Sequence, residues 1–417
     1  MELKDRVSPE ELKLMEMTEE MGEAGVQIDI AYLSECQNKL KDLLSSLEFQ
    51  IPWKPILSLK EFKKACAELG IEAPASIGVK ADNNEWLNDL PEGISGKLKD
   101  WITILQEYRS VNRTLEVINS MEVRTENGRL TYSLKYCGAT TGRWSGAGKL
   151  NLQNLNRNEI HGVNIRRCII AKPNHVLAAI DYSQIESRVL LYLAGDIKAL
   201  EVIRNGVDIY EAHARATMEY KDERPLKEVN PAMRQLAKAR VLGLGYGCGA
   251  KRFIEVAKCM ANLNISEAES IATVNQYRRS NPKIIDLWKK IEGAFVNCNN
   301  STYELRLPSG RSLYYRNVSK DMSCIISGDK CKVYGGLLTE NYVQAVARDI
   351  LADAWIRCYD AGHKPVLCVH DELVFEFPRN EADKQLKAIC ELITQSPSWA
   401  KDLPLDVEGK LMEYYSK

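Results

Sequence analysis

Apolar positions recur at intervals of three and four from residue 9 to about 50, the spacing of amphipathic helices. The pattern stops at Gly25-Val26-Gln27-Ile28-Asp29, which reads as a break between two helices. From about 50 to 98 the pattern shortens, with turns marked by Pro52, Pro55, Pro74 and Pro91. A long amphipathic run follows from Ser95 to about Ser120, so the front third reads as a mostly helical lobe. Arg124 to Tyr136 alternates and predicts a hairpin around Asn127-Gly128. Val176 to Ile180 is a continuous apolar run, expected as a buried strand ending at Asp181, and Gln184 to Ala194 continues as a helix. Asn230-Pro231 starts another, Asn as N-cap and Pro at the first helical position. Pro365 to Val369 and Leu373 to Phe377 flank His370-Asp371-Glu372 as a β-hairpin with acids at its turn.

Composition narrows this picture only slightly. A chain of 417 residues, 45% hydrophobic, buries a large core and favours two or three domains. Its net charge of −1 provides no bulk field for a polyanion. Any such binding must come from local clusters, and Arg234, Lys238, Arg240, Lys251 and Arg252 form one. The 12 cysteines are scattered without a C-x-x-C pair, which argues against a zinc ribbon or a disulfide scaffold and for a reducing interior. The charged N-terminus carries no signal-like apolar segment, and no window reads as membrane-spanning.

Three segments carry candidate chemistry: Asp181-Tyr-Ser-Gln-Ile-Glu186-Ser-Arg188, then Arg234 to Gly247, then His370-Asp371-Glu372. Nucleotidyl transfer uses two divalent ions about 3.5–4 Å apart. Magnesium takes oxygen ligands and keeps water, so two placed carboxylates suffice. Asp181 and Asp371 can meet if their strands are neighbours, with the Tyr182 carbonyl as a further oxygen and Glu372 adding charge. Taken singly, each acid is more often a helix cap or a turn residue. On a continuous helix Arg234, Lys238, Leu242 and Tyr246 share a face over about 18 Å. Arg234 and Lys238 then hold phosphates and Tyr246 meets a base, while Gly243, Gly245 and Gly247 allow close approach. A solvated basic face is the plainer account, but glycines at a helix end need a reason. Glu186 can obstruct a sugar 2′-hydroxyl, or serve as an ordinary first-turn acid.

In this order the segments resemble the motifs of family A DNA polymerases, the bacterial polymerase I type and its phage relatives, over nearly the whole chain. Thr141-Gly142-Arg143 with Asn151-Leu-Gln153-Asn154, and Val343-Gln344, add to the resemblance. It implies an α+β, right-hand architecture with an antiparallel-sheet palm, helical fingers and a helical thumb. The expected divisions are a palm-entry helix 1–28, thumb 29–120, palm 121–196, fingers 197–340 and the second palm segment 341–417. Asp181, Asp371, Glu372, Arg234 and Lys238 are then catalytic, with metal held by Asp181, Tyr182 and Asp371. The nucleotide falls to Arg234, Lys238, Leu242, Tyr246, Glu186, Gln184 and Tyr210. Primer-template contacts fall to Arg143, Asn151, Gln153, Asn154, Arg188, Gly247, Gln344 and His370.

Two Mg2+ ions, with Mn2+ as a substitute, are the implied cofactors. Primer-template DNA and deoxynucleoside triphosphates are the implied partners, with a monomer, no membrane, and a processivity factor or separate exonuclease acting alongside. The implied setting is the cytoplasm of a bacterium or phage-infected host. The start near the thumb predicts no proofreading or 5′-nuclease domain in this chain. Leu242 stands where the family has an aromatic residue, Tyr210 follows Asp-Ile where His is common with His213 one turn on, and Ser187 replaces Leu. A single-subunit RNA polymerase and a catalytically silent primer-template scaffold remain as alternatives; Glu186 and Tyr246-Gly247 oppose the first, and the retained acids oppose the second.

Overall fold

The computed structural model describes residues 8–73 and 85–416, so the turn expected at Pro74 lies outside it. The chain divides into two compact units. One comprises Met1–Met21, Leu134–Gly146 and Ala178–Leu411, the other Gly22–Ser133, Ala147–Leu177 and Met412–Lys417.

In the second of these units, helix Ile30–Phe49 lies along the long helix Glu92–Val123. Asp29 starts the shorter helix by accepting a hydrogen bond from the Tyr32 amide at 3.0 Å. Leu33, Cys36, Leu40, Leu44 and Leu47 recur at helical spacing and are buried. The segment expected as a mere break is a strand, Val26–Ile28, paired antiparallel with Arg129–Leu130 and Ile169–Ile170. Three residues between two helices are too few to show period-two alternation, which is why the pattern missed it. The hairpin at Asn127-Gly128 forms as expected, both residues having positive φ as a two-residue turn of this kind requires.

Most of a four-stranded sheet ordered Leu367–Val369, Glu372–Pro378, His175–Tyr182, Val407–Met412 belongs to the other unit. Leu177, Ala178, Ala179 and Ile180 are all buried, which explains their continuous apolar run. Helix Gly335–Asp360 is buried almost throughout and packs on helices Ile185–Leu193, Pro282–Asn297 and Ala382–Ile393. A helical layer spans Ile197–Arg204 to Pro282–Asn297. Within it Pro231–Ala239 begins as expected, Asn230 accepting from the Met233 amide at 3.0 Å. It does not continue as one α-helix: Arg240–Leu244 is a π turn, and Tyr246 lies in the turn beyond it. Helices and small antiparallel sheets together make the fold α+β. Among the described residues no helix is long and apolar enough to cross a membrane.

Candidate active site

Burial on both faces fixes strand His175–Tyr182, and its C-terminal end carries Asp181 beside the hairpin that carries Asp371. Val369 pairs with Glu372, leaving His370 and Asp371 to make the turn, and His370 takes a φ of 55°. The Tyr182 amide donates to the Asp371 carbonyl at 3.3 Å, which stitches the two strand ends together. Glu186 follows on the first turn of helix Ile185–Leu193.

Arg143 joins these acids. Its Nη2 donates to Glu186 Oε1 at 2.7 Å and to both Asp371 carboxylate oxygens at 3.0 and 3.2 Å. Burial pushes the Asp371 carboxyl up to about 6; Arg143 pulls it down, and the charges of Glu186 and Asp181 push it further up. Burial likewise raises Glu340, with Glu186 adding and Arg143 opposing. The Tyr246 phenol, held well above its ordinary value by burial, feels Glu186 and Glu340 too. Asp181, Glu186, Glu340, Asp371, Arg143 and Tyr246 are therefore close enough to influence one another electrostatically. Glu340 escaped the sequence reading, although it lies one helical turn before Gln344 and accepts from Gln344 Nε2 at 3.3 Å.

The approach of Tyr246 is set by glycine. A Cβ on Gly336 would lie 2.0 Å from the Tyr246 carbonyl oxygen, so only glycine lets this turn rest on the long helix. Trp288 Nε1 holds the same turn by donating to the Gly245 carbonyl at 2.9 Å. Arg234 and Lys238 share a face of Pro231–Ala239, one turn apart. Arg234 Nη2 donates to Asp208 at 3.2 Å, and its guanidinium lies 5.2 Å from the Tyr210 ring. Asp208 also caps helix Ile209–Thr217. Leu242 packs with the buried group that includes Tyr210.

Several expectations need correction. Leu242 and Tyr246 do not continue the α-helical face of Arg234 and Lys238, because the π turn changes the register. Gly243 and Gly245 make room for Val256 and Leu190, not for a ligand. Arg188, expected at DNA, turns inward: it donates to the Ser183 and Pro404 carbonyls at 2.8 and 3.1 Å, and its side chain is 7% exposed. Arg240, counted in a surface basic cluster, is 2% exposed. His213, one turn beyond Tyr210, bonds Thr217 within the protein, and burial lowers its imidazole to about 3. Glu372 is buried, and the neighbouring Asp371 is half-buried. Gln184 takes a left-handed conformation ahead of the Glu186 helix, and Gly247 has a φ of 81° beside Tyr334. Asn151, Gln153 and Asn154 belong to the second unit, where Asn151 accepts from the Gln153 amide at 3.0 Å and Gln153 is buried.

Carboxylates and a backbone carbonyl form an all-oxygen donor set, suited to a hard divalent cation. The raised Asp371 supports that fit, since crowded, desolvated acids gain from a nearby cation. No group of three or more His, Cys, Asp or Glu among the described residues is arranged to hold a metal, so water or substrate oxygens would complete the shell.

The architecture is that of a polymerase domain. Residues 58–417 match the model for DNA polymerase family A, and the chain belongs to that family. It is 28% identical to the DNA polymerase of Bacillus phage SP02, over 100% of this chain and 73% of that protein. It is also 28% identical to thermostable DNA polymerase I of Thermus thermophilus, over 94% of this chain but only 46% of the relative. A solved structure, the POL domain of Pol1 from M. smegmatis in complex with DNA primer-template and dNTP, shares the fold. Its TM-score is 0.70 at 23% identity, over 97% of this chain and 70% of that one. The chain thus spans less than half the length of the Thermus polymerase. Family A DNA polymerases generally use divalent metal ions.

Proposed function

We propose that this chain extends a DNA primer on a DNA template with deoxynucleoside triphosphates. The observation that carries this reading is the convergence of Asp181, Asp371, Glu186 and Tyr246 around Arg143. Asp181, Asp371 and the Tyr182 carbonyl would hold two Mg2+ ions, or Mn2+ in their place. Bound there, the ions would activate the primer hydroxyl and stabilise the pyrophosphate leaving group.

The protein's own groups bind and orient. Arg234 and Lys238 take the triphosphate, Arg234 exchanging Asp208 for phosphate oxygens as charge-assisted bonds. Gln184 and Tyr210 flank that path, and Leu242 packs behind it. Tyr246 stacks at the base, and Glu186 closes the space a 2′-hydroxyl would need. Arg143, Gln344, His370 and Gly247 serve the primer terminus, and Asn151, Gln153 and Asn154 serve the template strand. In this reading 29–120 acts as thumb, 197–340 as fingers, and 121–196 with 341–417 as palm.

Primer extension on a DNA template tests the proposal. Wild type extends with deoxynucleotides and excludes ribonucleotides, while Asp181→Ala and Asp371→Ala are inactive. Extension surviving either substitution sinks the site, and primer-independent synthesis from ribonucleotides favours an RNA polymerase instead.

A further inference from the structure

Arg143 touches both acids through a single nitrogen, Nη2, and its Nε is buried without a partner. A guanidinium held this way is not aligned by a two-pronged carboxylate contact. Its placement has to come from the backbone of Thr141-Gly142-Arg143, and that backbone is fastened from below. Arg311 Nη2 donates to the Thr141 carbonyl at 3.0 Å, and Arg348 Nε donates to the Gly142 carbonyl at 3.1 Å.

Both arginines are themselves anchored. Asp349 accepts from Arg311 Nε at 2.9 Å and from Arg348 Nη1 at 3.2 Å. Arg348 also pairs with Glu11 at 2.7 Å, receives support from the Tyr136 hydroxyl at 2.8 Å, and lies 4.7 Å from the Trp144 ring. Its side chain is 1% exposed. Gly142 has a φ of 88°, which favours glycine, and a Cβ there would come within 2.4 Å of the Arg311 guanidinium and press on it. Buried ion pairs rarely gain stability over apolar packing of equal volume, so three of them beneath one loop point to a demand for placement.

We infer that Arg311 and Arg348, joined through Asp349, are positioning residues that set Arg143 against Glu186 and Asp371. The inference rests on the proposed polymerase reading, in which Arg143 acts at the primer terminus beside the sugar gate. Arg311→Gln removes the grip on Thr141 while leaving Arg348 and Ser309 on Asp349. Arg348→Met removes the grip on Gly142, and Arg348→Lys restores the charge.

The test is a double-mutant cycle with Arg143→Gln, measuring kcat and the KM for deoxynucleotide in primer extension, with thermal melting of each variant. Arg311→Gln is expected to lower kcat between about tenfold and 100-fold with little change in KM, the range for a misplaced group. In the Arg143→Gln background the same change is expected to alter kcat by less than about twofold. Arg348→Met follows the same pattern and Arg348→Lys recovers part of the loss. If Arg348→Met fails to fold, Arg311→Gln decides alone. Equal losses in both backgrounds, or no loss from Arg311→Gln in the parent, overturn the inference. Absence of extension by the wild type overturns the polymerase reading.

Discussion

Replacing Asp371 by Asn is expected to stabilise the metal-free protein at neutral pH while removing its activity. In the fold the carboxyl titrates near 6, against an ordinary value of 3.8, because burial and the neighbouring acids outweigh Arg143. Between those values the folded state holds a proton that the unfolded chain has released. Stability therefore falls as pH rises through that window, and the deficit persists above it. Two units correspond to about 3 kcal/mol at 1.36 kcal/mol each. The side chain is 20% exposed, so water relaxes part of this and about 2 kcal/mol is the working figure. Asn has no proton to release, so the advantage of Asp371→Asn is near zero at pH 4 and full by pH 7. Melting followed in EDTA at both pH values reads it, with a gain of roughly 2 °C expected at pH 7. Millimolar Mg2+ should raise the parent and leave the variant unmoved, as binding to the folded state alone requires. A variant less stable than its parent at pH 7 would refute the reasoning, for Arg143 would then outweigh burial.

Three further predictions concern other residues of the same unit. Gly336→Ala places a methyl against the Tyr246 carbonyl at 2.0 Å, so the turn must move; the KM for deoxynucleotide should rise about tenfold or more, with about 2 kcal/mol lost in denaturant melts. Asp208→Ser keeps a helix cap but releases Arg234, and since a part-exposed pair is worth under about 1 kcal/mol, the nucleotide KM should fall by no more than about fivefold in steady-state assays. Burial holds His213 near 3, below its ordinary 6.5, so the unfolded chain takes up the proton first and stability is lost as pH falls through that interval. His213→Gln should flatten this acid arm by about 3 kcal/mol between pH 6.5 and 4 in urea titrations.

What was legible in the sequence follows from what periodicity encodes. The runs before Asp181 and around Asp371 are continuously apolar because their strands are buried on both faces, and a polar residue ending such a run stands out. Asn230-Pro231 located the Arg234 helix because cap chemistry is local. The π turn at Arg240–Leu244 was hidden by the assumption of 3.6 residues per turn. Its trace is in Gly243 and Gly245, whose missing side chains make room for Val256 and Leu190. Arg188, Arg240 and His213 failed for a related reason: charge in a sequence suggests water, and burial of a polar group depends on partners that are elsewhere in the chain.

The floor beneath Arg143 is the extreme of that limit. Gly142 and Arg348 are 206 residues apart, Arg348 and Glu11 are 337 apart, and no local pattern couples them. The apolar positions of helix Gly335–Asp360 mark it as buried, yet they do not say what covers it. A charged residue within so buried a helix needs a partner, and that requirement is readable from Arg348 and Asp349 alone. The carbonyls of Thr141 and Gly142 are backbone groups, identical in every residue, so their part in holding Arg143 emerges only when the distant segments are brought together. The acids proposed for the chemistry were thus open to sequence reasoning, whereas the groups that aim them were not, because aiming is done largely by backbone.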